Sequence, residues 1–352
     1  MSELYRQRIR WPAALLLATL FFPLLFLTGC SEPVEKVVSH SGLTMGTSFT
    51  VKWVSNDSSS AQELNQRLPS EINQLLVNIN NSMSTYQANS ELTRINQLPA
   101  GSKVLLSHGL ADVLQRALEI SQQSSGAFDV TVGPLVNLWG FGPDGRVINA
   151  PTESKITELM QRVGFNHIRL DNQARELVKL KNVYIDLSAI AKGYGVDQIA
   201  QLLERYDLAS YLVEIGGELR AKGLKPDNNH WKIAIEAPIA GDRKIQRIIA
   251  VKDIGIATSG DYRNYFEQDG VRFSHTINPA DGKPIRHRLA SVTVLAQDCA
   301  SADALATAMM VMGAEKAEPF AIEQGVEALL IVKTDSGFRE IMTPGFDQFL
   351  VQ

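Results

Sequence analysis

The segment 299–307 carries an acidic side chain and a hydroxyl within one alanine-rich stretch, at Asp303 and Thr307. Positions four residues apart lie on the same face of a helix, so the two oxygen ligands would be presented together. Oxygen-only ligands favour Mg²⁺ over zinc or copper. The alternative is structural, because an Asp in a first helical turn often acts as a cap or dipole partner and a Thr often bonds back to the backbone.

Asp186 and Lys192 lie on either side of the expected start of a helix. Helix-start amides together with a lysine are a common environment for a phosphate group, so this junction is a candidate anion site. An Asp that caps the helix and a solvent-exposed Lys explain the same residues structurally. The pair Gly216 and Gly217 stands between two predicted strands, where a tight turn explains it.

His275 lies late in a predicted strand, just before a turn rich in Asn, Pro and Gly. Histidine is well suited to take a proton from a hydroxyl near neutral pH, which makes it a candidate base. A structural histidine on a half-exposed strand is the alternative. The sequence has no Gly-x-Ser-x-Gly elbow, so Ser-His-Asp hydrolysis is not supported.

The segment 126–135 combines glycine, apolar side chains and the acid Asp129, and Met45 and Tyr86 lie upstream of it. A planar heterocycle could rest on such a surface, with the carboxylate as a hydrogen-bond acceptor. Core packing explains Phe128 and Met45 equally well when each is considered alone.

The elements that must position these residues follow from periodicity. Helical spacing predicts helices around 64–79, where Pro69 should kink the helix or mark its start, and at 107–123, 152–163, 190–206 and 301–312. Strands are predicted at 47–54, 168–170, 176–180, 183–187, 211–215, 218–222, 231–236, 246–251, 272–277, 291–295, 328–332 and 338–342. Strands that follow one another without intervening helices favour an α+β fold with largely antiparallel sheets and packed helices.

The N-terminus has the features of a secretion signal. Three arginines precede an apolar run over 13–27, which is too short for a transmembrane helix and contains Pro23. The run ends in Leu-Thr-Gly-Cys, which resembles the bacterial lipobox and predicts lipid attachment at Cys30. The expected organisation is a signal peptide over 1–29, a lipidated tether over 30–42 and a catalytic domain over 43–352.

Composition excludes several classes of protein. The 352 residues are 45% hydrophobic and 20% charged with a formal net charge of -4, which rules out disordered and collagen-like chains. No basic run provides a surface for nucleic acid. The two cysteines, Cys30 and Cys299, cannot form a disulfide framework.

Together these segments resemble the ApbE family of FAD:protein FMN transferases. The resemblance covers nearly the whole chain after the signal peptide, in the family's order and roughly its spacing. The matching segments are 44–47 (TMGT), 83–86 (MSTY), 126–129 (GAFD), 186–193 (DLSAIAKG), 274–279 (SHTINP) and 302–307 (ADALAT). Two departures are Asn278, where the family often has Asp, and Glu218, where Asn or Asp is common after the glycine pair.

The resemblance implies a set of site residues. The Mg²⁺ ligands would be the backbone carbonyl of Ala189, the Asp303 carboxylate and the Thr307 hydroxyl, and His275 resembles the family's proposed base. Contacts to FAD would come from Met45, Tyr86, Ala127, Phe128, Asp129, Asp186, Lys192 and Ile277.

The resemblance also implies a Mg²⁺-dependent enzyme that moves FMN from FAD to a Thr or Ser hydroxyl of a target protein and releases AMP. Its partners would be flavin-accepting subunits of membrane redox complexes, such as sodium-translocating NADH:quinone reductase and Rnf. The lipid anchor would hold it on the periplasmic side of the inner membrane, although Ser31 after the lipidated cysteine also permits the outer membrane. Two alternatives are an FAD pyrophosphatase, in which water replaces the acceptor, and a flavin-binding lipoprotein without chemistry.

Overall fold

The structure is a computed structural model that describes residues 34–147, 149–239, 241, 244–262, 264–268 and 270–351. The predicted signal peptide and Cys30 lie outside the described residues. None of the described helices is long and apolar enough to cross a membrane.

Helices and strands alternate in blocks along the chain. The helices are α1 (Ser59–Met83), α2 (Glu91–Gln97), α3 (His108–Gln123), α4 (Gly133–Leu138), α5 (Glu153–Met160), α6 (Ala191–Glu204), α7 (Cys299–Met312) and α8 (Ala314–Glu323). The strands are β1 (Lys36–Thr44), β2 (Thr47–Ser55), β3 (Lys103–Leu105), β4 (Ile168–Asp171), β5 (Glu176–Lys179), β6 (Tyr211–Ile215), β7 (Glu218–Lys222), β8 (Trp231–Glu236), β9 (Ile245–Val251), β10 (Ile254–Gly260), β11 (Tyr265–Gln268), β12 (Val271–Ser274), β13 (Ile277–Asn278), β14 (Lys283–Pro284), β15 (Leu289–Ala296), β16 (Glu327–Thr334) and β17 (Gly337–Met342).

The main sheet has eight strands in the order β1-β2-β6-β7-β10-β15-β16-β17, and every neighbouring pair is antiparallel. Smaller sheets consist of β3-β5-β4, β8-β9, β11-β12 and β13-β14. Antiparallel strands with packed helices confirm the predicted α+β class.

The helices cover one face of the main sheet. Along β2 the alternate residues Phe49, Val51 and Trp53 are buried and pack against α1 and α6. Further along the sheet α7 packs on β10 and β15, and α8 packs on β16. Because α7 is apolar on nearly all sides, it is buried in the centre of the core. A Cβ added at Gly193 in α6 would overlap the carbonyl group of Cys299, so glycine lets α6 approach the start of α7 closely.

The two-stranded ribbon β8-β9 covers the opposite face of the sheet. Its inward side chains Trp231, Ile233 and Ile235 join Ile256 and Leu295 of the main sheet in a separate core cluster. The sheet is therefore covered by helices on one face and, in part, by this ribbon on the other.

Several local predictions differ from the structure. Of the segment predicted as a tether over 30–42, the part from Lys36 onward is a strand. It belongs to β1, which pairs with β2 along the whole strand. The helix predicted with a kink or start at Pro69 begins at Ser59 and runs through the proline. Burial of Leu68 and Ile72 on either side of Pro69 stabilises the helix despite the lost backbone donor.

Two predicted strands are also wrong in detail. Segment 183–187 is not a strand, because the backbone of Ile185 bonds to the Asn96 side chain instead of to a neighbouring strand. The strand predicted over 272–277 divides into β12 and β13, with His275 in the gap. The pair Gly216 and Gly217 does form the predicted tight turn, with positive φ angles of 60° and 102°.

Candidate functional site

A cavity of about 1080 Å³ lies where the main sheet divides. Strand β7 pairs with β10 only as far as Leu219 and Ile256, and beyond that point β10 continues beside β15 alone. Glu218 of β7 and Thr258 of β10 therefore lie on opposite sides of a gap, and both line the cavity. The fork in the sheet creates the space that the site occupies.

Helix α7 supplies the Asp303 and Thr307 pair, and both residues line this cavity. The N-cap of α7 is Asp298, whose Oδ1 accepts a hydrogen bond from the Ser301 N–H at 2.7 Å, so Asp303 is not the cap. Asp303 is buried, and its Oδ2 accepts from the Gly193 N–H at 3.1 Å. Within the described chain the Thr307 hydroxyl makes no hydrogen bond back to its helix. Thr307 therefore does not follow the structural alternative, whereas Asp303 does bind a backbone N–H in the first turn of a neighbouring helix, α6.

Lys192 lies between two carboxylates at the start of α6. Its Nζ is 3.4 Å from Glu218 Oε1 and 3.6 Å from Asp303 Oδ2, and it donates to the Ser188 carbonyl oxygen at 3.4 Å. Burial alone would lower the pKa of Lys192, but the charges of Asp303 and Glu218 outweigh it and raise the pKa above its ordinary value. The lysine is a fixed positive charge in the cavity wall.

Glu218 is the other acidic group at this place. Burial raises its pKa to about 8, with Lys192 opposing the shift and Asp303 adding to it. Within the described residues its Oε2 is buried and has no hydrogen-bond partner. An unpartnered buried carboxyl oxygen beside Asp303 suits an additional positive charge, which would oppose this rise in the pKa of Glu218.

The donors fit a hard cation. The Ala189 backbone, Asp303 and Thr307 line the same cavity and offer a carbonyl, a carboxylate and a hydroxyl. No group of three or more His, Cys, Asp or Glu side chains that could hold a metal occurs in the ranges that the structure describes. A site with one carboxylate and neutral oxygens is the kind that Mg²⁺ uses when it also binds waters and substrate phosphates.

The segment before α6 is held by side-chain hydrogen bonds. The Asn96 side chain accepts from the Ile185 N–H at 2.7 Å and donates to the Ile185 carbonyl at 2.8 Å. The next residue, Asp186, accepts from the N–H and the hydroxyl of Ser188 at 2.8 and 2.6 Å. Asp186, Ser188 and Ala189 all line the cavity, so Asn96 fixes a wall of the site without lining it.

His275 lines the cavity at the break between β12 and β13. Its Nδ1 is 3.0 Å from the Asn264 carbonyl oxygen, which also accepts the His275 backbone N–H at 3.1 Å. Because a carbonyl only accepts, we assign the ring proton to Nδ1, which leaves Nε2 with a free lone pair. Burial lowers the pKa of His275 below its ordinary value, so the ring is neutral and able to take a proton near neutral pH.

The segment containing Ala127, Phe128 and Asp129 lines another part of the cavity, together with Tyr86 and Ile277. Burial raises the pKa of Asp129, although hydrogen bonds from Thr131 and Phe165 oppose the shift. The carboxylate therefore already holds the local backbone in place while it borders the cavity.

Met45 lies apart from the other predicted residues and does not line the cavity. It occupies the tight turn between β1 and β2 with a positive φ of 49°, and its side chain packs between the two helical core clusters. Cys30 lies outside the described residues. The fold brings the remaining predicted site residues to one cavity.

Some residues of the site had no signal in the sequence. Asn264 holds His275, and Asn96 holds Ile185 across 89 positions of chain. Strand β8 lines the cavity over residues 232–236, although its sequence predicted only a strand. In the sequence Glu218 stands out only as a departure from the family pattern, and its neighbours in sequence do not predict its burial beside Lys192.

Comparisons with known proteins agree with one another. The model of the ApbE family matches residues 45–330. An FAD:protein FMN transferase of Vibrio cholerae is 45% identical over 327 residues, which cover 93% of this chain and 96% of that protein. The solved flavin transferase ApbE of Vibrio cholerae has a TM-score of 0.81 at 43% identity and covers 90% of this chain and 100% of its own. The apo flavinyl transferase ApbE of Pseudomonas stutzeri has a TM-score of 0.82 at 41% identity, covering 90% and 97%.

Proposed function

Since this chain belongs to the ApbE family, an enzyme family of flavin transfer, we propose that it moves FMN from FAD to a Thr or Ser hydroxyl of a target protein, depends on Mg²⁺ and releases AMP. The observation that carries the proposal is the single cavity that joins His275, the Asp303 and Thr307 pair and Lys192. These are the base, the metal ligands and the fixed charge that phosphoryl transfer to a hydroxyl needs.

The reaction is written as a substitution at phosphorus. The acceptor oxygen forms a bond to the phosphorus of the FMN half of FAD, and the bond from that phosphorus to the AMP oxygen breaks. The proton of the acceptor hydroxyl goes to Nε2 of His275, which the Asn264 carbonyl orients through Nδ1. AMP leaves with the electrons of the broken bond.

Charge neutralisation is the other requirement. Ala189, Asp303 and Thr307 would hold Mg²⁺, which when bound would neutralise charge on the pyrophosphate. Lys192 adds a positive charge at the same wall of the cavity. Tyr86, Ala127, Phe128, Asp186 and Ile277 border the space for the rest of FAD.

The N-terminal sequence supports a location for this reaction. Lipid attachment at Cys30 would anchor the enzyme on the periplasmic side of the bacterial inner membrane, with the outer membrane as the alternative. The acceptors we propose are flavin-carrying subunits of membrane redox complexes, such as sodium-translocating NADH:quinone reductase or Rnf. Anchoring enzyme and acceptor to the same membrane raises their effective concentration. Replacement of Cys30 by Ser should release the protein from the membrane fraction, and retention there would contradict the anchor.

A transfer assay tests the function. The full chain in detergent is incubated with FAD, Mg²⁺ and one such acceptor subunit, and the acceptor is examined by mass spectrometry for bound FMN. Replacement of His275 by Ala should keep FAD binding and slow transfer by about 10²-fold to 10⁴-fold. The matched control is His108→Ala, which changes an exposed histidine at the start of α3 and should leave transfer unchanged.

Other outcomes would replace the proposal. Bound FAD with no FMN on any acceptor would contradict the transferase. Release of free FMN and AMP without an acceptor would indicate a pyrophosphatase, and a His275→Ala variant equal to the parent in every property would indicate a flavin-binding protein without chemistry. For the metal, Asp303→Asn should raise the Mg²⁺ concentration needed for half-maximal transfer, and an unchanged requirement would contradict the ligand assignment.

A further inference from the structure

One part of the cavity wall contains none of the residues assigned to FAD or Mg²⁺. It consists of five successive residues of β8, 232–236, which face the exposed side of β2, β6 and β7. Successive side chains of a strand point to opposite faces, so a cavity that touches five in a row borders the strand along its edge. The floor beside this edge is formed by Ser48, Lys52, Glu214 and Leu219, which line the same cavity.

The backbone groups of this edge can be assigned from the pairing of β9. The Val351 N–H donates to the Ile248 carbonyl at 2.9 Å, so the backbone of Ile248 points away from β8. Ile248 is the register partner of Ala234. At such a non-hydrogen-bonded position of an antiparallel pair, both residues direct their backbone N–H and C=O groups away from the partner strand. The N–H and C=O of Ala234 therefore point out of the ribbon, and those of Lys232 do too because the pattern has a period of two.

The two edges of the ribbon differ in whether another segment covers them. The outer edge of β9 is covered by the C-terminal segment through Ile249, Leu350 and Val351. On β8 the outward backbone groups of Lys232 and Ala234 have no hydrogen-bond partner within the described part of the chain. Proteins usually protect a strand edge, so an open edge that borders the reaction cavity is a candidate for pairing with another chain.

We propose that the acceptor polypeptide docks in extended form along the open edge of β8, over the floor of Ser48, Lys52 and Glu214. This inference rests on the proposed function, which requires a polypeptide hydroxyl to reach His275. The groove beside β8 and the space around His275 belong to one continuous cavity. An extended chain paired with β8 thus enters the site from the side opposite the helices.

This mode of docking has a consequence for specificity. Backbone pairing provides affinity that does not depend on the side chains of the docked segment. Pairing at this edge requires only that the segment beside the hydroxyl is extended. The edge of β8 would select an extended conformation of the acceptor segment, and the cavity around His275 would select the hydroxyl that reacts.

A pair of proline variants tests the edge. Ala234→Pro removes the outward N–H of β8, at an edge position where proline is tolerated. The matched control is Ala250→Pro, because Ala250 is paired with Lys232 and its backbone points out of the other edge of the same ribbon. We expect Ala234→Pro to raise the KM for the acceptor about tenfold, with unchanged FAD affinity, and Ala250→Pro to leave that KM unchanged.

Three results would overturn the inference while leaving FMN transfer in place: an unchanged acceptor KM in Ala234→Pro, an equal rise in both variants, or a parallel loss of FAD affinity, which would assign this wall to FAD. Absence of any transfer by the parent protein would instead remove the proposed function. If neither variant folds, the parent enzyme is assayed with synthetic acceptor peptides N-methylated at single residues. Loss of labelling at every second residue supports strand pairing, and loss without that period contradicts it.

Discussion

Two lysines of the interior, Lys179 and Lys192, are held in opposite ways. Lys179 at the end of β5 is completely buried, and its Nζ donates to the carbonyl oxygens of Ile95, Asn96 and Leu98 at 3.1, 3.2 and 2.6 Å. Lys192 faces two carboxylates and borders the cavity. One ammonium group is held by neutral dipoles and the other by charges.

The partners explain the difference in titration. Burial lowers the pKa of Lys179 to about 8, because no carboxylate compensates for the loss of water. Asp303 and Glu218 raise the pKa of Lys192 although it is half-buried and its desolvation opposes the rise. The carbonyls around Lys179 belong to the C-terminal end of α2, where a cation satisfies groups that the helix leaves unpaired.

Lys179 therefore has a scaffold role and Lys192 a role in the site, and Asn96 links the two regions. Lys179 fixes the end of α2, and Asn96 in the last turn of that helix forms hydrogen bonds with Ile185. Ile185 precedes the cavity segment that leads to Lys192. The neutral carbonyls around Lys179 include no charged group whose interaction a ligand could replace. The carboxylates around Lys192 differ, because a substrate phosphate or a metal ion bound there can change the charge around its ammonium group.

The largest expected effect is on transfer in Lys192→Met. Loss of a fixed positive charge beside the pyrophosphate should lower kcat for FMN transfer about 10²-fold or more, while the protein stays folded. Steady-state assays with the acceptor subunit, together with circular dichroism, measure both properties. The control Lys155→Met changes an exposed lysine of α5 that pairs with Glu158, and it should transfer normally. Normal transfer in Lys192→Met would show that both lysines belong to the scaffold.

The second effect is on stability in Lys179→Met. Three buried carbonyls would lose their donor, which should lower the free energy of unfolding by about 3 kcal/mol. Urea unfolding measures the change, and kcat of the folded fraction should stay close to that of the parent. A variant with parental stability but a strongly reduced kcat would reverse the roles assigned to the two lysines.

These two lysines also show what the sequence can predict. Lys192 is predictable as a site residue because it lies near Asp186 and a helix start, a pattern confined to a few neighbouring residues. Lys179 meets α2 across more than 80 positions of chain, and no local pattern predicts that contact. Local patterns also fail to predict the hydrogen bond between Asn264 and His275. They fail for β1 too, because its alternation of polar residues is weak and the strand forms by pairing with β2. The fold class and the α7 pair follow from local periodicity, whereas the supports of the site depend on tertiary contacts.

The smallest effect, and the most specific to Lys179, is a pH dependence. The pKa of this lysine is about 8 in the folded protein and 10.5 in the unfolded chain. Between these values the unfolded chain holds a proton that the folded protein lacks, so stability rises with pH. The loss of stability in Lys179→Met should therefore grow from about pH 7 to about pH 9.5 in urea unfolding. A loss that stays constant or shrinks would mean that the three carbonyls stabilise the ammonium as well as water does, and the contrast with Lys192 would then concern location alone.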